Sequence, residues 1–291
     1  MHAVRPAQRA ALCLGPMTDD PKFPEDDHGT APMRPRRRGI YVLPNAITLA
    51  ALFSGFYGIV MAMNGRFEVA CIAIFCAAVL DSMDGRVARM TNSQSAFGEQ
   101  MDSLCDMVSF GAAPALIIYI WGFKDLGKLG WIPAFVYIAG AALRLARFNV
   151  NIGVVDKRFF QGMPSPAAAA MVMGLIWVMD DAGVKGVSRA DWQAWAAFGV
   201  TLFAGLSMVT NAPFYSFKVV GGRSTVPFVV IVAIALGIAL VALDPPRVLF
   251  GIFCVYGLSG YAVYAWRKFK GKPTSVIAIS TDEPDEKGLH P

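Results

Sequence analysis

Long apolar runs alternate with short polar breaks along most of this chain. Eight apolar segments can be delimited, at about 41–63, 67–88, 99–122, 130–149, 165–180, 192–213, 226–243 and 247–266, of which the fifth and seventh are short. Since a helix rises about 1.5 Å per residue, each segment is long enough, or nearly so, to cross a hydrocarbon core of about 30 Å. The runs are continuous rather than alternating, which favours helices over a β-barrel. The pattern predicts an all-α, polytopic membrane bundle of about eight transmembrane helices.

The composition agrees with a membrane protein. The 291 residues are 55% hydrophobic and 16% charged, with a mean hydropathy of +0.49. Soluble globular domains average about 25% charged residues, so the composition excludes that class. Polar, irregular sequence at both ends predicts three parts: a disordered N-terminal tail over residues 1–38, a membrane domain over 39–268, and a disordered C-terminal tail over 269–291.

The distribution of positive charge predicts the orientation of the bundle. Sixteen Lys and Arg residues flank the predicted spans on the side that carries both termini. The other side has six, namely Arg66, Lys124, Lys128, Lys185, Arg189 and Arg247. The positive-inside rule then places both termini in the cytoplasm, in a multi-pass protein of a bacterial-type inner or cell membrane. The basic run Arg34–Arg38 directly precedes a span, so we interpret it as a topology anchor and expect no nucleic-acid partner.

Four carboxylates interrupt the apolar pattern within one short stretch, at Asp81, Asp84, Asp102 and Asp106. A charged side chain at a helix centre in the membrane costs about 2.5 to 3.5 kcal/mol, so the cluster is a functional-site hypothesis. The members of each pair are three or four residues apart and therefore share one helix face. The short polar linker Met90–Phe97 makes the two helices antiparallel neighbours. We expect the four carboxylates to converge near the cytoplasmic surface.

Four close carboxylates cannot all be ionised without compensating positive charge. Mg²⁺ and Mn²⁺ prefer hard oxygen ligands and are the natural compensation. A pair of such ions, held by shared aspartates, would bind a diphosphate and stabilise charge on its phosphorus atoms. The three histidines, His2, His28 and His290, all lie in the tails. Acid–base chemistry in the membrane domain must therefore come from carboxylates, lysine, tyrosine or water.

The spacing of residues 81–106, D-x2-D-G-x2-A-R-x8-G-x3-D-x3-D, resembles the motif of the CDP-alcohol phosphotransferases, with every fixed position present. Members of that family replace the CMP of a CDP-linked lipid or alcohol with a second alcohol. The resemblance implies that Asp81, Asp84, Asp102 and Asp106 bind two divalent cations, Mg²⁺ or Mn²⁺. It also implies that Asp106 is catalytic and helps to remove the proton from the attacking hydroxyl.

The resemblance extends to residues that would contact the nucleotide and its diphosphate. Small residues would let a flat ligand approach the backbone closely, an arginine would contact phosphate, and a small hydroxyl residue often faces the diphosphate. The segment Pro44–Thr48, which enters the first span, is similar to a second nucleotide-contact segment of the family. The residues so implied are Asn45, Thr48, Gly85, Ala88, Arg89 and Ser95.

Two further stretches indicate the acceptor alcohol. Residues 144–149 and 162–169 resemble the ARFN and GLPSPAAA stretches of membrane phosphatidylserine synthases, with Met163 where leucine is common. This resemblance implies CDP-diacylglycerol and serine as substrates, the lipid bilayer as surroundings, and a homodimer. A free amino acid has a carboxylate to be recognised, for which arginine and asparagine are suitable partners. The candidate acceptor-binding residues are Arg144, Arg147 and Asn149.

The sequence leaves three alternatives open. Glycerol 3-phosphate or inositol phosphate would also need a basic patch, so arginine alone does not discriminate among acceptors. Intramembrane prenyltransferases bind a diphosphate through aspartates and Mg²⁺, but with two aspartate-rich motifs far apart, whereas this chain has one compact cluster. A cation transporter would carry acids near the bilayer midplane on several distant spans. Here the other acids of the membrane domain lie at or near predicted loops, and Glu99 adjoins the cluster.

Overall fold

The computed structural model describes residues 42–91, 93, 95–150, 159–215 and 228–270. In these ranges the chain forms eight helices and one two-stranded ladder. The helices are α1 (Val42–Met63), α2 (Phe67–Met90), α3 (Ala96–Leu129), α4 (Trp131–Val150), α5 (Ser165–Asp181), α6 (Trp192–Val209), α7 (Phe228–Leu243) and α8 (Pro245–Phe269). The tail predicted over 1–38, with its basic run, and residues 271–291 of the other tail lie outside the described residues.

Each predicted apolar segment coincides with one of these helices, so the all-helical architecture is confirmed. Five of them, α1, α3, α4, α6 and α8, are long and apolar enough to cross a membrane. Of the others, α2 carries charged residues in its last turns, and α5 and α7 have only 17 and 16 residues. Helices of that length extend about 25 Å, less than a typical hydrocarbon core. The number of eight crossings therefore stays a prediction.

Helix α3 is longer and less regular than the sequence predicts. It continues to Leu129 rather than ending near residue 122, and it contains a π-helical turn at Met107–Ala112, directly after Asp106. Pro114 has no N–H to donate to the carbonyl of Phe110, four residues earlier. The hydroxyl of Tyr137 on α4 donates to that carbonyl instead, at 2.9 Å. A side chain from another helix thus stabilises the irregular turn beside the carboxylates.

Small residues let the helices approach one another closely. Helix α5 is buried without interruption from Ala167 to Ile176, which makes it the central helix of the described bundle. Helices α4 and α6 cross at Gly140 and Gly205, where a Cβ on either residue would collide with the backbone of the other helix. In lipid, where apolar side chains gain little from association, such close backbone packing is a main source of helix–helix stability.

A short antiparallel ladder joins the start of α5 to the end of α6. Strand β1 (Phe159–Gln161) pairs with β2 (Pro213–Tyr215), with Phe160 opposite Phe214. The sixth apolar segment extends to about residue 213, and α6 ends four residues earlier, at Val209. Thr210 is already extended, and Pro213 keeps the chain out of the helical region at the residue before it, so that this segment pairs with β1.

Candidate active site

The last turns of α2 present a buried carboxylate to α1. Asp84 is 5% exposed, and its Oδ2 has no hydrogen-bond partner in the described part of the chain. The side chain of Thr48 on α1 lies beside this carboxylate, and its hydroxyl also donates to the carbonyl of Pro44 at 3.0 Å. Buried polar atoms are nearly always hydrogen-bonded, because an unsatisfied one loses its hydration without replacement. The unpaired oxygen of Asp84 indicates a place for a ligand.

The start of α3 places the next two carboxylates opposite α2. The hydroxyl of Ser95 accepts a hydrogen bond from the backbone N–H of Gly98 at 3.0 Å, and this N-cap fixes the first turn. Asp102 and Asp106 follow one turn apart. One carboxylate oxygen from each of Asp81, Asp102 and Asp106 lies within 4.8 Å of the other two. These three residues form the acidic cluster, and Asp84 lies outside it, beside Thr48.

The acidic cluster concentrates negative charge that neighbouring side chains offset only in part. Two unit charges 4.8 Å apart repel by about 3 kcal/mol at an effective dielectric constant of 20. Asp81 and Asp106 lie within hydrogen-bonding reach of each other. Arg144 on α4 interacts electrostatically with both, but a single guanidinium does not neutralise three carboxylates.

The residues present fit a divalent cation. The acidic cluster offers several carboxylate oxygens, and the buried Oδ2 of Asp84 adds an oxygen without a partner in the described residues. Hard cations such as Mg²⁺ and Mn²⁺ take ligands of this kind. The structure thus supports the predicted metal chemistry through the oxygen donors.

A cleft of about 140 Å³ opens beside the acidic cluster, between α1, α2 and the start of α3. Small or polar residues form its walls. Asp84 and Asp102 are among them, so two of the four carboxylates line the cleft. The lining residues are Pro44, Asn45, Thr48, Asp84, Gly85, Ala88, Ser93, Ser95, Gly98, Glu99 and Asp102. Five of the six residues predicted to bind the nucleotide and diphosphate are among them.

Two glycines shape this cleft in opposite ways. A Cβ at Gly85 would meet nothing within 4 Å, so the position is open to a close approach from the cleft. A Cβ at Gly98 would lie 3.2 Å from the hydroxyl of Ser95 and 3.4 Å from Oδ1 of Asn45. The missing side chain at Gly98 therefore lets α1 and the α3 cap lie side by side.

The sixth predicted nucleotide contact, Arg89, is not among the lining residues. Its Nε donates to the carbonyl of Gly85 on the previous turn at 3.0 Å, and its side chain is exposed. Arg89 directly follows Ala88, which lines the cleft, so it lies close to the mouth of the cleft on the same helix.

The predicted acceptor residues on α4 have different surroundings. Arg144 is half-buried and donates through Nη1 to the hydroxyl of Ser165 at 2.7 Å. Arg147 donates to Oδ1 of Asn211 at 3.1 Å, after the end of α6. Asn149 shares hydrogen bonds with Ser103 at 3.2 and 3.3 Å. Of the acidic cluster, Asp106 and Asp81 interact electrostatically with Arg144.

Sequence reasoning did not assign several residues that the structure brings to the site. Ser93 and Glu99 line the cleft, and both lie within the motif stretch; the sequence placed Glu99 beside the carboxylates but assigned neither residue a role. Ser165 belongs to the proline-rich segment that resembles the synthases, but its contact with Arg144 spans 21 residues. Tyr256 on α8 lies near Arg144, and nothing in the sequence pattern indicated that it belongs to the site.

A second, larger cavity lies between α2, α5 and α8. This groove has a volume of about 1010 Å³ and is lined mainly by apolar residues of the three helices. Arg86 lies at the α2 wall, on the same turns as Gly85 and Ala88, and Arg247 contributes to the α8 wall. Tyr256 lines the groove and interacts with Arg144, so the groove passes close to the acidic cluster.

Comparisons with known proteins agree with the site geometry. The family model described as CDP-alcohol phosphatidyltransferase matches residues 41–206. This match covers α1 to α6, which contain the acidic cluster and the cleft, and it ends before α7 and α8.

The chain is similar to curated proteins from several organisms. A CDP-diacylglycerol–serine O-phosphatidyltransferase of Helicobacter pylori is 34% identical over 220 residues, which are 75% of this chain and 90% of the relative. A protein of the same name from Mycobacterium leprae is 32% identical over 233 residues, 77% of this chain and 75% of the relative. An archaetidylserine synthase of Methanothermobacter thermautotrophicus is 36% identical over 132 residues, 45% of this chain and 55% of the relative.

Proposed function

Because the chain belongs to the CDP-alcohol phosphatidyltransferase family, we propose that it is a CDP-diacylglycerol–serine O-phosphatidyltransferase of the membrane. It transfers the phosphatidyl group from CDP-diacylglycerol to the hydroxyl of serine and releases CMP. The observation that carries the proposal is the position of the acidic cluster at the wall of a cleft lined by small and polar residues. The names of the relatives from Helicobacter and Mycobacterium support serine as the acceptor.

The donor occupies the cleft in this proposal. Gly85 and Ala88 leave room for the nucleotide against the α2 backbone, and Asn45, Thr48 and Ser95 offer amide and hydroxyl groups to it. Arg89, exposed near the mouth, is available to neutralise phosphate charge. The acyl chains lie in the apolar groove between α2, α5 and α8.

The chain's own carboxylates provide the acid–base chemistry. Asp81, Asp84, Asp102 and Asp106 would hold two divalent cations, Mg²⁺ or Mn²⁺, which when bound stabilise negative charge on the diphosphate. Asp106 accepts the proton of the serine hydroxyl. The serine oxygen forms a bond to the phosphorus that carries diacylglycerol, and the bond from that phosphorus to the CMP oxygen breaks. CMP leaves with the electron pair.

Arg144 binds the acceptor on the other side of the acidic cluster. Its guanidinium lies near Asp106, so a serine carboxylate paired with Arg144 brings the serine hydroxyl towards that carboxylate. Arg147 and Asn149 lie at the end of α4, near the acceptor arginine, and hydrogen-bond to Asn211 and Ser103. Both partners are polar, so polar groups of the acceptor can replace them.

We further propose that the acidic cluster faces the cytoplasm in a bundle of eight spans, and that the protein is a homodimer. The excess of Lys and Arg on that side supports the orientation. A reporter enzyme that is active only outside the cytoplasm tests it, fused either after residue 291 or within the 182–190 loop between α5 and α6. We expect activity from the loop insertion alone. Activity from the C-terminal fusion would contradict the orientation.

The acceptor is tested with the purified full-length protein in lipid vesicles. CDP-diacylglycerol is supplied with serine, glycerol 3-phosphate or inositol phosphate, and CMP release and lipid products are measured with Mg²⁺ or Mn²⁺ present. We expect CMP and phosphatidylserine with serine alone. Product formed only with another acceptor would overturn the choice of serine, and no CMP with any acceptor would overturn the proposed chemistry.

A further inference from the structure

The first residue of α5 connects the acceptor side of the site to the packing of the bundle. Ser165 is fully buried, and its hydroxyl accepts a hydrogen bond from Nη1 of Arg144 at 2.7 Å. We propose that Ser165 is a positioning residue, which holds the Arg144 guanidinium in the orientation that binds the acceptor carboxylate. This inference rests on the proposed function, in which Arg144 binds serine.

Arg144 needs such a partner because of its length and its place. A flexible arginine side chain loses about 2 kcal/mol of rotamer entropy when it is fixed, and binding is stronger when that loss precedes the arrival of the ligand. Arg144 also lies within the field of Asp106 and Asp81, which attracts the guanidinium towards the acidic cluster. A hydrogen bond to Ser165 on α5 fixes one end of the guanidinium and leaves its other N–H groups for a ligand.

The backbone around Ser165 is itself held in place. Gly162 has a φ of +80°, and its N–H donates to the carbonyl of Ala212 at 3.0 Å. A Cβ there would collide with the carbonyls of Met208 and Thr210 at the end of α6, so only glycine fits this turn. The N–H of Met163 donates to the carbonyl of Ser207 at 3.0 Å. The turn before Ser165 is therefore tied to the end of α6 by two backbone hydrogen bonds.

Helix α8 supports the same turn from outside the region matched by the family model. The hydroxyl of Tyr261 lies 2.8 Å from that of Ser207, the residue whose carbonyl holds Met163. The ring of Phe214 packs against Tyr261 with centroids 6.3 Å apart. These contacts form a continuous path from α8 through the turn to Ser165 and Arg144, so the acceptor arginine is held by three helices besides its own.

Two variants of equal side-chain volume test the effect of the hydroxyl separately from the effect of size. Ser165→Thr keeps the hydroxyl and Ser165→Val replaces it with a methyl group, while both add the same bulk at the same position. We expect Ser165→Val to raise the KM for serine at least about tenfold relative to Ser165→Thr, equivalent to about 1.4 kcal/mol. The KM for CDP-diacylglycerol should remain equal in the two variants, because both add the same bulk beside the apolar groove and the hydroxyl contacts Arg144. Thr201→Val removes another buried hydroxyl, on α6, and should leave both constants unchanged.

Further measurements distinguish positioning from a structural role. In an Arg144→Ala background, the difference between Thr and Val at position 165 should vanish, since the group that the hydroxyl holds is gone. Ser165→Ala, which adds no bulk, replaces the pair if the larger residues prevent folding, and its serine KM should rise similarly. Equal serine KM values for Thr and Val, or a difference that persists without Arg144, would overturn the inference. Absence of serine-dependent CMP release by the wild-type protein would instead contradict the proposed function.

Discussion

Replacing Asp106 with asparagine should inactivate the protein and stabilise its fold at the same time. Asn has nearly the shape of Asp but carries no negative charge and is not a base at neutral pH. In the proposed reaction Asp106 accepts the serine proton, and general bases contribute about 10² to 10⁴ in rate. We expect kcat for CMP release to fall by at least about 10³-fold, because the change also weakens the set of oxygen ligands.

The gain in stability follows from the separation of the carboxylates. One oxygen of Asp106 lies within 4.8 Å of oxygens on both Asp81 and Asp102, so an ionised Asp106 takes part in two repulsive pairs. Protonating Asp106, so that it shares a hydrogen bond with Asp81, avoids the repulsion but costs free energy at neutral pH, and asparagine avoids both costs. Each pair is worth about 3 kcal/mol at an effective dielectric constant of 20, and Arg144 offsets part of the sum. A net gain of about 1 to 3 kcal/mol in the free energy of unfolding would raise the Tm by several degrees Celsius in a chain of this size.

The two effects are measured on the same detergent-solubilised sample. Activity is followed as CMP release with serine, and the Tm is measured with a chelator and again with Mg²⁺ or Mn²⁺. Wild type should gain more Tm from the cation than Asp106→Asn, because a ligand stabilises only in proportion to its binding. Asp125→Asn is the matched control, since Asp125 is an exposed carboxylate at the other end of the same helix. Full activity of Asp106→Asn would refute the role assigned to Asp106. A lower Tm of this variant in the chelator would refute the electrostatic reasoning.

Three other changes test the cleft, the packing and the loops. Gly85→Ala should preserve the Tm, since its Cβ meets nothing within 4 Å, but it should raise the KM for CDP-diacylglycerol about tenfold. Gly199→Ala is the control, because Gly199 on α6 is equally open, and it should change neither the Tm nor this KM. Gly205→Ala should lower the Tm by several degrees, because its Cβ would lie 2.8 Å from the α4 backbone, and an unchanged Tm would contradict that packing. Hydrogen bonds from the backbone N–H and hydroxyl of Ser188 hold the pKa of Asp191 below its usual range. Asp191 thus contributes stability above its unfolded pKa that is lost as the pH falls through the folded value, so Asp191→Asn should lower the Tm at pH 7 more than near pH 3.

The sequence was sufficient for the helices and for the family, and insufficient for contacts made over long distances. The eight apolar runs and the 81–106 spacing depend on local chemistry, and both agree with the structure and the family match. The π-helical turn in α3 depends on Pro114 together with Tyr137, which is on another helix. The contact between Arg144 and Ser165 likewise requires the fold, since nothing in the spacing of the two segments determines it.

The separation of Asp84 from the other carboxylates shows why a motif does not determine a geometry. On an ideal helix, Asp81 and Asp84 share a face, yet Asp84 is buried beside Thr48 of α1 while Asp81 joins Asp102 and Asp106. Asp102 belongs to the acidic cluster and also lines the cleft, so it can contact a diphosphate and its counter-ions together. In the proposed reaction the donor side is open and lined by small and polar residues, whereas the acceptor arginine is fixed by a hydrogen bond to the buried Ser165. This division suits a bulky lipid donor that enters through an open cleft and a small acceptor that must be selected by precise placement.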